Sequence, residues 1–439
     1  MDDELIDGAG LSLTRKSRLP GTGFFYPDSL DEDRTEERVA EAVDGAEAVV
    51  VADTDADGLG CVALLREVYD ASLAWASFAD DLSDRVDRWG SDEPAPDADD
   101  PEDGEDRPDS TVALVGAGPY SLDDALEHVV AYAPAGIDLY VCDLCPDEYG
   151  WIADELDAAV DLADAVAWYD HHQWDDSAAA AVRDAGVDLV VGESDEECST
   201  DVTLRSLDHD FDDRWVDLAA VTRDHDLWLK EDPRSDDLAD YAYWTDPEEY
   251  VTMVGTFGAD LPDVVAEYIE LRRVEKDELI EAAVSRAEHK RVGPWTVGVT
   301  YGRCSQNEVA EALREQGADA AVVVKPAGSA SIRGSETFER AHEVAGRVNG
   351  GGHPRAAGCK PDIYDDMLDY AHHWTTEGAT AKRVILRAFE AVAAEADGEK
   401  EDAVDAEDAA DGAADGAGDD PDCDGAADDP AGDAGTDAE

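Results

Sequence analysis

A rhythm of short, valine-rich apolar runs, each leading into polar residues, constrains the fold of this chain more than any other feature of its sequence. Four such runs, with amphipathic stretches between them, are AEAVVVADTD (46–55), STVALVGAG (110–118), GIDLYVCDL (136–144) and ADAVAWYDHH (163–172). Nearly continuous apolar runs are typical of strands buried on both faces of a sheet. The pattern therefore predicts an α/β fold in which helices cover a parallel sheet.

Three of these four runs end in or beside Asp or His, at the point where the predicted strand ends. The carboxyl ends of parallel strands meet at one edge of a sheet, so we expect the polar groups to share that edge. Crowded carboxylates repel one another unless a cation neutralises them, and hard divalent ions are the usual solution. A plainer interpretation of ADTDADGLG (52–60) is an Asp-rich turn in an Asp-rich chain. The predicted edge carries Asp53, Asp55, Asp143, Asp170, His171 and His172.

The segment WYDHHQW (168–174) contains two adjacent histidines. In an extended chain, His171 and His172 project to opposite sides, so we expect only one of them to bind a given metal. The other could face a substrate or orient its neighbour. We interpret Trp168 and Trp174 as packing residues.

Two further segments bear on the same site. Asp143 ends a strongly apolar run, where burial is unfavourable for a carboxylate without a partner. The segment DLAAVTRDHDLWL (217–229) offers Asp224 and Asp226 after an apolar helical stretch. Either aspartate could supply the carboxylate that completes a two-metal site.

The chain is extremely acidic, with 110 Asp and Glu residues against 33 Lys and Arg residues and a formal net charge of −77. Such a charge opposes compaction in dilute buffer. At molar salt the Debye length falls to roughly 3 Å and most of the repulsion disappears. The composition therefore predicts a halophilic protein, and the same screening means that the charge does not exclude nucleic acid as a substrate.

The cysteines and the N-terminal sequence point to a cytoplasmic protein. Seven scattered cysteines do not resemble a disulfide framework, and Cys142 and Cys145 lack a second pair with zinc-site spacing. We interpret both as packing residues. MDDELIDGAG lacks a basic segment followed by an apolar one, and no apolar run approaches the ~18 residues of a membrane span.

The alternation of apolar and amphipathic segments resumes after a long helical stretch around 262–291. A second α/β domain is indicated by WTVGVTYG (295–302), a helix over 305–316, ADAAVVVKP (318–326) and ASIRGS (330–335). The last residues are almost entirely Asp, Glu, Ala and Gly, a composition that cannot bury enough apolar surface to fold. We predict an N-terminal segment (1–35), a catalytic domain (36–245) with an acidic surface loop (91–110), a helical linker (246–291), a second domain (292–397) and a disordered acidic tail (398–439).

These motifs, in this order, resemble the DHH phosphoesterase superfamily with its C-terminal DHH-associated domain. The resemblance is carried by DTDADG (53–58), Asp143, DHH (170–172), an Asp after an apolar helix, and GGGHPRAAG (350–358), and it covers residues 40–390. Many members carry a histidine four residues before the first motif aspartate, where this chain has Val49. RecJ-like members tolerate its absence, so the departure favours the RecJ-like branch over the pyrophosphatases.

The resemblance implies a metal-dependent phosphoesterase with two divalent ions, manganese or alternatively magnesium. It implies metal ligation by Asp53, Asp55, Asp143, His171 and Asp224, with Asp226 left as an alternative to Asp224. It places Asp57 and Asp170 in the catalytic group, and gives His172 contact with the scissile phosphate or protonation of the leaving group. In the second domain, it implies a phosphate-binding glycine loop with flanking cations, formed by Arg333, Gly350, Gly351, Gly352, His353 and Arg355.

The expected function is hydrolysis of single-stranded nucleic acid ends or short oligonucleotides, as in RecJ-like exonucleases. A small-molecule phosphoesterase for cyclic dinucleotides or phosphoadenosine phosphate would share the metal site. A catalytically silent scaffold in a replication assembly is a third possibility, although the acidic and DHH positions are all present. The expected partners are the nucleic acid substrate and replication or repair proteins.

Overall fold

A computed structural model describes residues 28–88, 110–118, 121–146, 148–364 and 367–414. The chain divides into two compact units, Met1–Glu281 and Ala282–Glu439. The predicted acidic loop (91–110) lies outside the described residues, apart from Ser110. In the part of the chain that the structure describes, no helix is both long and apolar enough to cross a membrane.

The first unit is built on five strands that all pair in parallel, in the order β2-β1-β3-β4-β5. This confirms the predicted α/β fold with a parallel sheet. In chain order its elements are α1 (Asp28–Val43), β1 (Ala48–Ala52), α2 (Ala56–Val68), α3 (Ala76–Asp87), β2 (Val112–Gly116), α4 (Leu122–Tyr132), β3 (Asp138–Cys142), α5 (Ala153–Leu162), β4 (Ala165–Asp170), α6 (Asp176–Asp184), β5 (Asp188–Val191), α7 (Ser199–Ser206), α8 (Asp213–Asp226), α9 (Arg234–Trp244), α10 (Pro247–Phe257) and α11 (Asp263–Ser285).

The central strand β1 explains why the apolar run is continuous. Val49 and Val51 lie in one hydrophobic cluster, while Ala48, Val50 and Ala52 lie in another, so both faces of the strand are covered. All five residues of the strand are fully buried. The two clusters hold the end of β1 in place, and with it the acidic segment that follows.

The second unit carries a six-stranded sheet in the order β10-β11-β9-β8-β7-β6. Only β7 and β8 pair in parallel, and the other neighbours are antiparallel. Its elements are β6 (Glu288–Val292), β7 (Trp295–Tyr301), α12 (Gln306–Glu315), β8 (Ala320–Val324), β9 (Ala330–Gly334), α13 (Ala341–Gly346), β10 (Gly350–Gly352), β11 (Ala356–Cys359), α14 (Met367–Thr375) and α15 (Ala379–Ala414).

Three segments differ from the sequence-based expectation. The predicted helical linker ends in the strand β6, and the division between the units falls within α11. The fifth parallel strand, β5, is not predicted, because the strand is only four residues long and begins with Asp188. The helix α15 continues to Ala414 and so includes the beginning of the predicted acidic tail. Residues 415–439 lie outside the described residues.

Candidate metal centre

The carboxyl edge of the parallel sheet gathers the acidic and histidine residues of the first unit. Parallel pairing sets Ala52 of β1 beside Cys142 of β3, and Cys142 beside Tyr169 of β4. The residues that follow these three strands therefore begin at the same level of the sheet. This register brings Asp53, Asp143 and the DHH segment to one place.

The imidazole of His171 lies among three carboxylates. Its Nε2 is 3.4 Å from Asp226 Oδ2, 3.8 Å from Asp143 Oδ1 and 4.0 Å from Asp57 Oδ2. His171 is buried, with 7% of its surface exposed. Among the described residues, neither His171 Nδ1 nor Asp226 Oδ2 has a hydrogen-bond partner. Buried polar atoms without partners are unusual, and Asp226 Oδ2 lies beside His171 Nε2, where a cation could bind both.

Two overlapping sets of side chains have the spacing of metal ligands. In each set the ligand atoms lie within 4.8 Å of one another, and His171 belongs to both. The sets combine carboxylate oxygens with imidazole nitrogens, which suits a divalent transition ion such as manganese. They are Asp143, His171 and His172, and Asp57, His171 and Asp226.

Asp57 is held by the start of α7. Its Oδ2 accepts a hydrogen bond from the backbone N–H of Ser199 at 2.7 Å, and its Oδ1 accepts one from Thr200 N–H at 2.8 Å. The Thr200 hydroxyl donates to the Asp57 carbonyl at 2.9 Å. These first-turn N–H groups have no partner within their own helix, and they favour a negative charge. The carboxylate is thus fixed in orientation.

Asp143 has an uncommon backbone conformation. Its φ is +58°, in the left-handed region that non-glycine residues seldom adopt. The Asp143 N–H donates to the Tyr169 carbonyl at 3.0 Å, and the Asp143 side chain accepts a hydrogen bond from the Ser199 hydroxyl at 2.9 Å. Strained residues persist where their surroundings hold them, and they cluster at functional sites.

Asp170 orients His172. Its Oδ1 accepts a hydrogen bond from His172 Nδ1 at 2.8 Å, and its Oδ2 accepts one from Trp174 Nε1 at 2.6 Å. Burial alone would raise the pKa of Asp170, but these hydrogen bonds lower it. Burial would lower the pKa of His172, but Asp170 and nearby carboxylates raise it to about 9. His172 is therefore an imidazolium near neutral pH, beside an ionised Asp170.

Burial and mutual repulsion raise the pKa values of most carboxyl groups at this edge. Burial is the first cause in each case. Asp55 adds to it for Asp53, whose pKa rises to about 7, and Asp57 adds to it for Asp226, whose pKa rises to about 8. Burial and Asp57 also place the pKa of Asp143 well above its usual range. A divalent cation would relieve the repulsion by favouring the ionised forms.

The three aspartates of the first motif, Asp53, Asp55 and Asp57, have different positions and partners. The chain does not stay extended after Asp53, since α2 begins at Ala56 with Asp55 as its N-cap. The Asp55 side chain accepts hydrogen bonds from Asp57 N–H at 2.9 Å and Gly58 N–H at 3.2 Å. The sharp turn requires Gly58, because a Cβ there would lie 2.2 Å from the Asp53 carbonyl oxygen. Asp57 Oδ2 is 4.0 Å from His171 Nε2, whereas Asp53 and Asp55, which the resemblance implies as ligands, belong to neither set of described side chains with metal-ligand spacing.

The structure brings Asp226, and not Asp224, to the histidine. Both belong to the last turn of α8, but their side chains have different partners. Asp224 Oδ1 accepts a hydrogen bond from Glu231 N–H at 2.8 Å, and its Oδ2 accepts one from the Ser235 hydroxyl at 2.7 Å. This geometry favours the alternative, Asp226, over the expected Asp224 as the fourth carboxylate of the group.

The two histidines do not diverge to opposite sides, as an extended chain would require. The strand β4 ends at Asp170, so the chain turns at the pair. His171 Nε2 is 3.8 Å and His172 Nδ1 is 3.9 Å from the same oxygen, Asp143 Oδ1. Trp174 is also more than a packing residue, since it donates a hydrogen bond to Asp170.

The glycine cluster of the second unit forms a hairpin rather than an open loop. Gly350, Gly351 and Gly352 make up β10, which pairs with β11. A Cβ at Gly350 would lie 2.1 Å from the Gly358 carbonyl oxygen, so the close approach of the strands accounts for a glycine there. His353 is exposed at the turn and donates its N–H to Ala356 O at 2.7 Å.

The two arginines expected to bind phosphate have different surroundings. Arg355 donates to Glu339 Oε1 through Nε at 2.9 Å and Nη2 at 2.5 Å, so its charge is already compensated. Arg333 donates to Asn307 Oδ1 at 2.8 Å and, within the described residues, has no carboxylate partner. Among the described residues, Lys325 likewise has no carboxylate partner. Burial lowers the pKa of Lys325, and the charge of the nearby Arg333 lowers it further.

Sequence reasoning missed Ser199, Thr200 and Lys325. Serine and threonine at the start of a helix are ordinary capping residues, so ECSTDV (197–202) carries no signal of a contact with Asp57 or Asp143. Lys325 directly follows an apolar run in a chain with few basic residues, and this position was the available indication of a role for it.

Comparison with known proteins yields distant structural likenesses only. No protein-family model and no curated protein matches the chain. A structure of the exonuclease RecJ bound to manganese is 14% identical, covers 80% of this chain and 94% of its own, and has a TM-score of 0.45. The DHH domain of a protein described as belonging to a family of ribosomal proteins is 14% identical over 84% of this chain and 98% of its own, with a TM-score of 0.46.

A third structure, RecJ from Thermus thermophilus in complex with Mn²⁺, is 15% identical over 83% of this chain and 55% of its own, with a TM-score of 0.45. Likenesses of this strength do not establish an activity. The residues of the site are therefore the basis for assigning a function.

Proposed function

We propose that the protein is a RecJ-like phosphoesterase of the DHH superfamily that hydrolyses phosphodiester bonds in single-stranded nucleic acid ends or short oligonucleotides. The observation that carries the proposal is the approach of Asp57, Asp143 and Asp226 to within 4.0 Å of His171 Nε2. Three carboxylates and an imidazole at the carboxyl edge of a parallel sheet are suited to divalent cations.

The two overlapping sets of side chains support binding of two divalent ions, manganese or magnesium. Asp57, Asp143, Asp226 and His171 would hold them, with Asp53 and Asp55 at the margin of the group. The raised pKa values of Asp143 and Asp226 are what an ion-binding cluster of carboxylates is expected to have without its cation. Bound ions of this kind polarise phosphoryl oxygens and make water a better nucleophile.

His172 is suited to act on the leaving group. Burial would lower its pKa, but Asp170 raises it to about 9 in the metal-free protein, which favours the protonated ring. Its side chain is 37% exposed, so a substrate can reach it. Asp170 fixes the ring through Nδ1 at 2.8 Å, which leaves Nε2 to contact a phosphate oxygen or to protonate the departing oxygen. His171 and His172 thus have separate tasks.

The second unit supports the choice of an anionic substrate. Lys325 and Arg333 lack a carboxylate partner among the described residues, in a chain whose formal net charge is −77. Cations left without a carboxylate in such a chain favour a role in binding phosphate. Arg355, which pairs with Glu339, is a weaker candidate for this task than Arg333.

The test is a hydrolysis assay of the full chain in molar KCl with Mn²⁺. The substrates are end-labelled single-stranded DNA and RNA, a dinucleotide, a cyclic dinucleotide and phosphoadenosine phosphate. We expect release of nucleotides from the single strands or the dinucleotide, and a loss of this activity of about 100-fold for His171→Gln. The matched control is His209→Gln, since His209 is exposed and packs against Phe211 outside the site.

Each other outcome has a defined meaning. Turnover confined to the cyclic dinucleotide or phosphoadenosine phosphate would favour a small-molecule phosphoesterase. Failure to bind Mn²⁺ and to cleave any substrate would reject the proposal and support a silent scaffold among replication or repair proteins.

A further inference from the structure

The hydroxyl of Ser199 occupies a position between two carboxylates of the candidate metal centre. Its Oγ is 2.9 Å from Asp143 Oδ1 and 3.4 Å from Asp170 Oδ1. A hydroxyl has a single proton, so the shorter contact identifies Asp143 as its acceptor. Ser199 is fully buried, and the interaction is therefore shielded from water.

This hydroxyl is not needed to start its helix. The N-cap of α7 is Cys198, whose N–H donates to Asp201 Oδ2 at 3.1 Å in a capping box. Ser199 follows the cap as the first residue of the helix. Its side chain is thus free of the capping task that serine usually performs at helix starts.

Ser199 also acts through its backbone. Its N–H donates to Asp57 Oδ2 at 2.7 Å, while its hydroxyl donates to Asp143. One residue therefore contacts two of the three carboxylates that approach His171. The two carboxylates come from segments far apart in sequence, after β1 and after β3, so this residue fixes their separation.

The conformation of Asp143 makes such support necessary. With φ at +58°, the residue is held in a disfavoured region by its N–H bond to Tyr169 O on one side. The Ser199 hydroxyl restrains the carboxylate on the other side. Partners of this kind orient metal ligands, and their loss commonly weakens metal affinity by about 10- to 100-fold.

We propose that Ser199 is a positioning residue that sets the Asp143 carboxylate, relative to Asp57, for binding of a divalent cation. The inference rests on the proposed function, since it requires the metal centre. It concerns affinity for the ion itself and can be measured without any substrate.

The experiment compares Mn²⁺ binding to the full chain and its variants by isothermal titration calorimetry in molar KCl. For Ser199→Ala we expect a dissociation constant about 10- to 100-fold larger than that of the unaltered chain. The matched control is Thr222→Val, because the Thr222 hydroxyl is buried and, among the described residues, has no hydrogen-bond partner. We expect its affinity to be unchanged.

Circular dichroism and thermal unfolding in chelator establish that each variant is folded. If Ser199→Ala is not folded, Ser199→Cys, which keeps a weak donor, serves instead and is expected to bind Mn²⁺ with intermediate affinity. Equal affinity of a folded Ser199 variant and the unaltered chain would overturn the inference and leave the proposed function standing. Absence of Mn²⁺ binding by the unaltered chain would overturn both.

Discussion

Two aspartates in the last turn of α8 illustrate how much depends on the direction of a single side chain. Asp226 is 3.4 Å from His171 Nε2, whereas Asp224 is bound by Ser235 and by the backbone of Glu231. Burial and the neighbouring carboxylates raise the pKa of Asp226 to about 8. Burial would raise the pKa of Asp224, but its hydrogen bonds lower it. One aspartate is arranged for a cation, and the other stabilises the turn that follows.

The pair gives a matched test at the scale of the residue. We expect Asp226→Asn to weaken Mn²⁺ binding by about 10-fold or more, because it removes a carboxylate from the proposed ligands, and to cost little stability, because that carboxyl group lies among others that repel its charged form. We expect Asp224→Asn to retain Mn²⁺ binding and to lower the free energy of unfolding by about 1–3 kcal/mol, since it weakens two charge-assisted hydrogen bonds. Calorimetry and denaturant titration measure the two effects. The reverse pattern would show that Asp224 is the ligand.

The residues of the site were only partly predictable from the sequence. An aspartate or histidine that directly follows a valine-rich run is bound to lie at the strand end, as Asp143 and Asp170 do. The choice between Asp224 and Asp226 depends on helical phase at the last turn, which apolar periodicity does not resolve. Ser199 carries no signal, because its role arises from a contact with Asp143 across a long stretch of sequence.

At the scale of the element, the helix α2 is anchored by a buried arginine that pairs with a half-buried glutamate. Arg66, 2% exposed, pairs with Glu248 of α10 through Nη1 at 2.6 Å. Its Nη2 also donates to the Val112 carbonyl of β2 at 3.2 Å. The guanidinium thereby joins a helix that begins at the acidic motif to a second helix and to the edge strand of the sheet.

Removing this guanidinium should cost far more than removing an exposed one. We expect Arg66→Ala to lower the free energy of unfolding by about 3 kcal/mol, because a cavity forms and the partners lose their donors. Arg88→Ala is the matched control, since Arg88 forms an exposed pair with Asp84 that should contribute less than about 1 kcal/mol. Denaturant titrations at one fixed salt concentration compare the two. Similar losses would argue against Arg66 as an anchor.

The elements were easier to predict than their connections. The four valine-rich runs gave the positions of β1 to β4, because strands buried on both faces leave little choice of sequence. The strand β5 is short and lies at the edge of the sheet, so its apolar signal is weak. From composition alone, the GGG segment is interpreted as a loop. Its glycines instead allow two strands to approach closely, and composition does not reveal that role.

At the scale of the whole molecule, the raised pKa values couple folding to pH. In the metal-free protein, Asp53 and Asp226 titrate near 7 and 8, whereas an aspartate in an unfolded chain titrates near ~4. Between the unfolded and the folded pKa values, the folded state therefore binds more protons than the unfolded state. The free energy of unfolding then falls as pH rises through this interval. His172, with a pKa of about 9, acts in the same direction, because its stabilising contribution is present below ~6.5 and is lost as pH rises through 9.

We therefore expect the free energy of unfolding in chelator and molar KCl to decrease as pH is raised from 6 to 8. Added Mn²⁺ should oppose this decrease, because cation binding favours ionised carboxylates and releases protons. Denaturant titrations at three pH values, with chelator or with Mn²⁺, measure both slopes. Asp226→Asn should have the shallower slope in chelator. Stability that rises over this interval in the metal-free protein would contradict the assignment of the raised pKa values.

The ligands approaching His171 come from widely separated parts of the chain, with Asp57 near one end, Asp143 between, and Asp226 last. A polypeptide emerging from the ribosome cannot assemble this group until α8 has been synthesised and has packed. Contacts of long sequence separation are slow to form. Under the proposed function, binding of the cation therefore follows the synthesis and packing of α8, because the group around His171 is incomplete without Asp226.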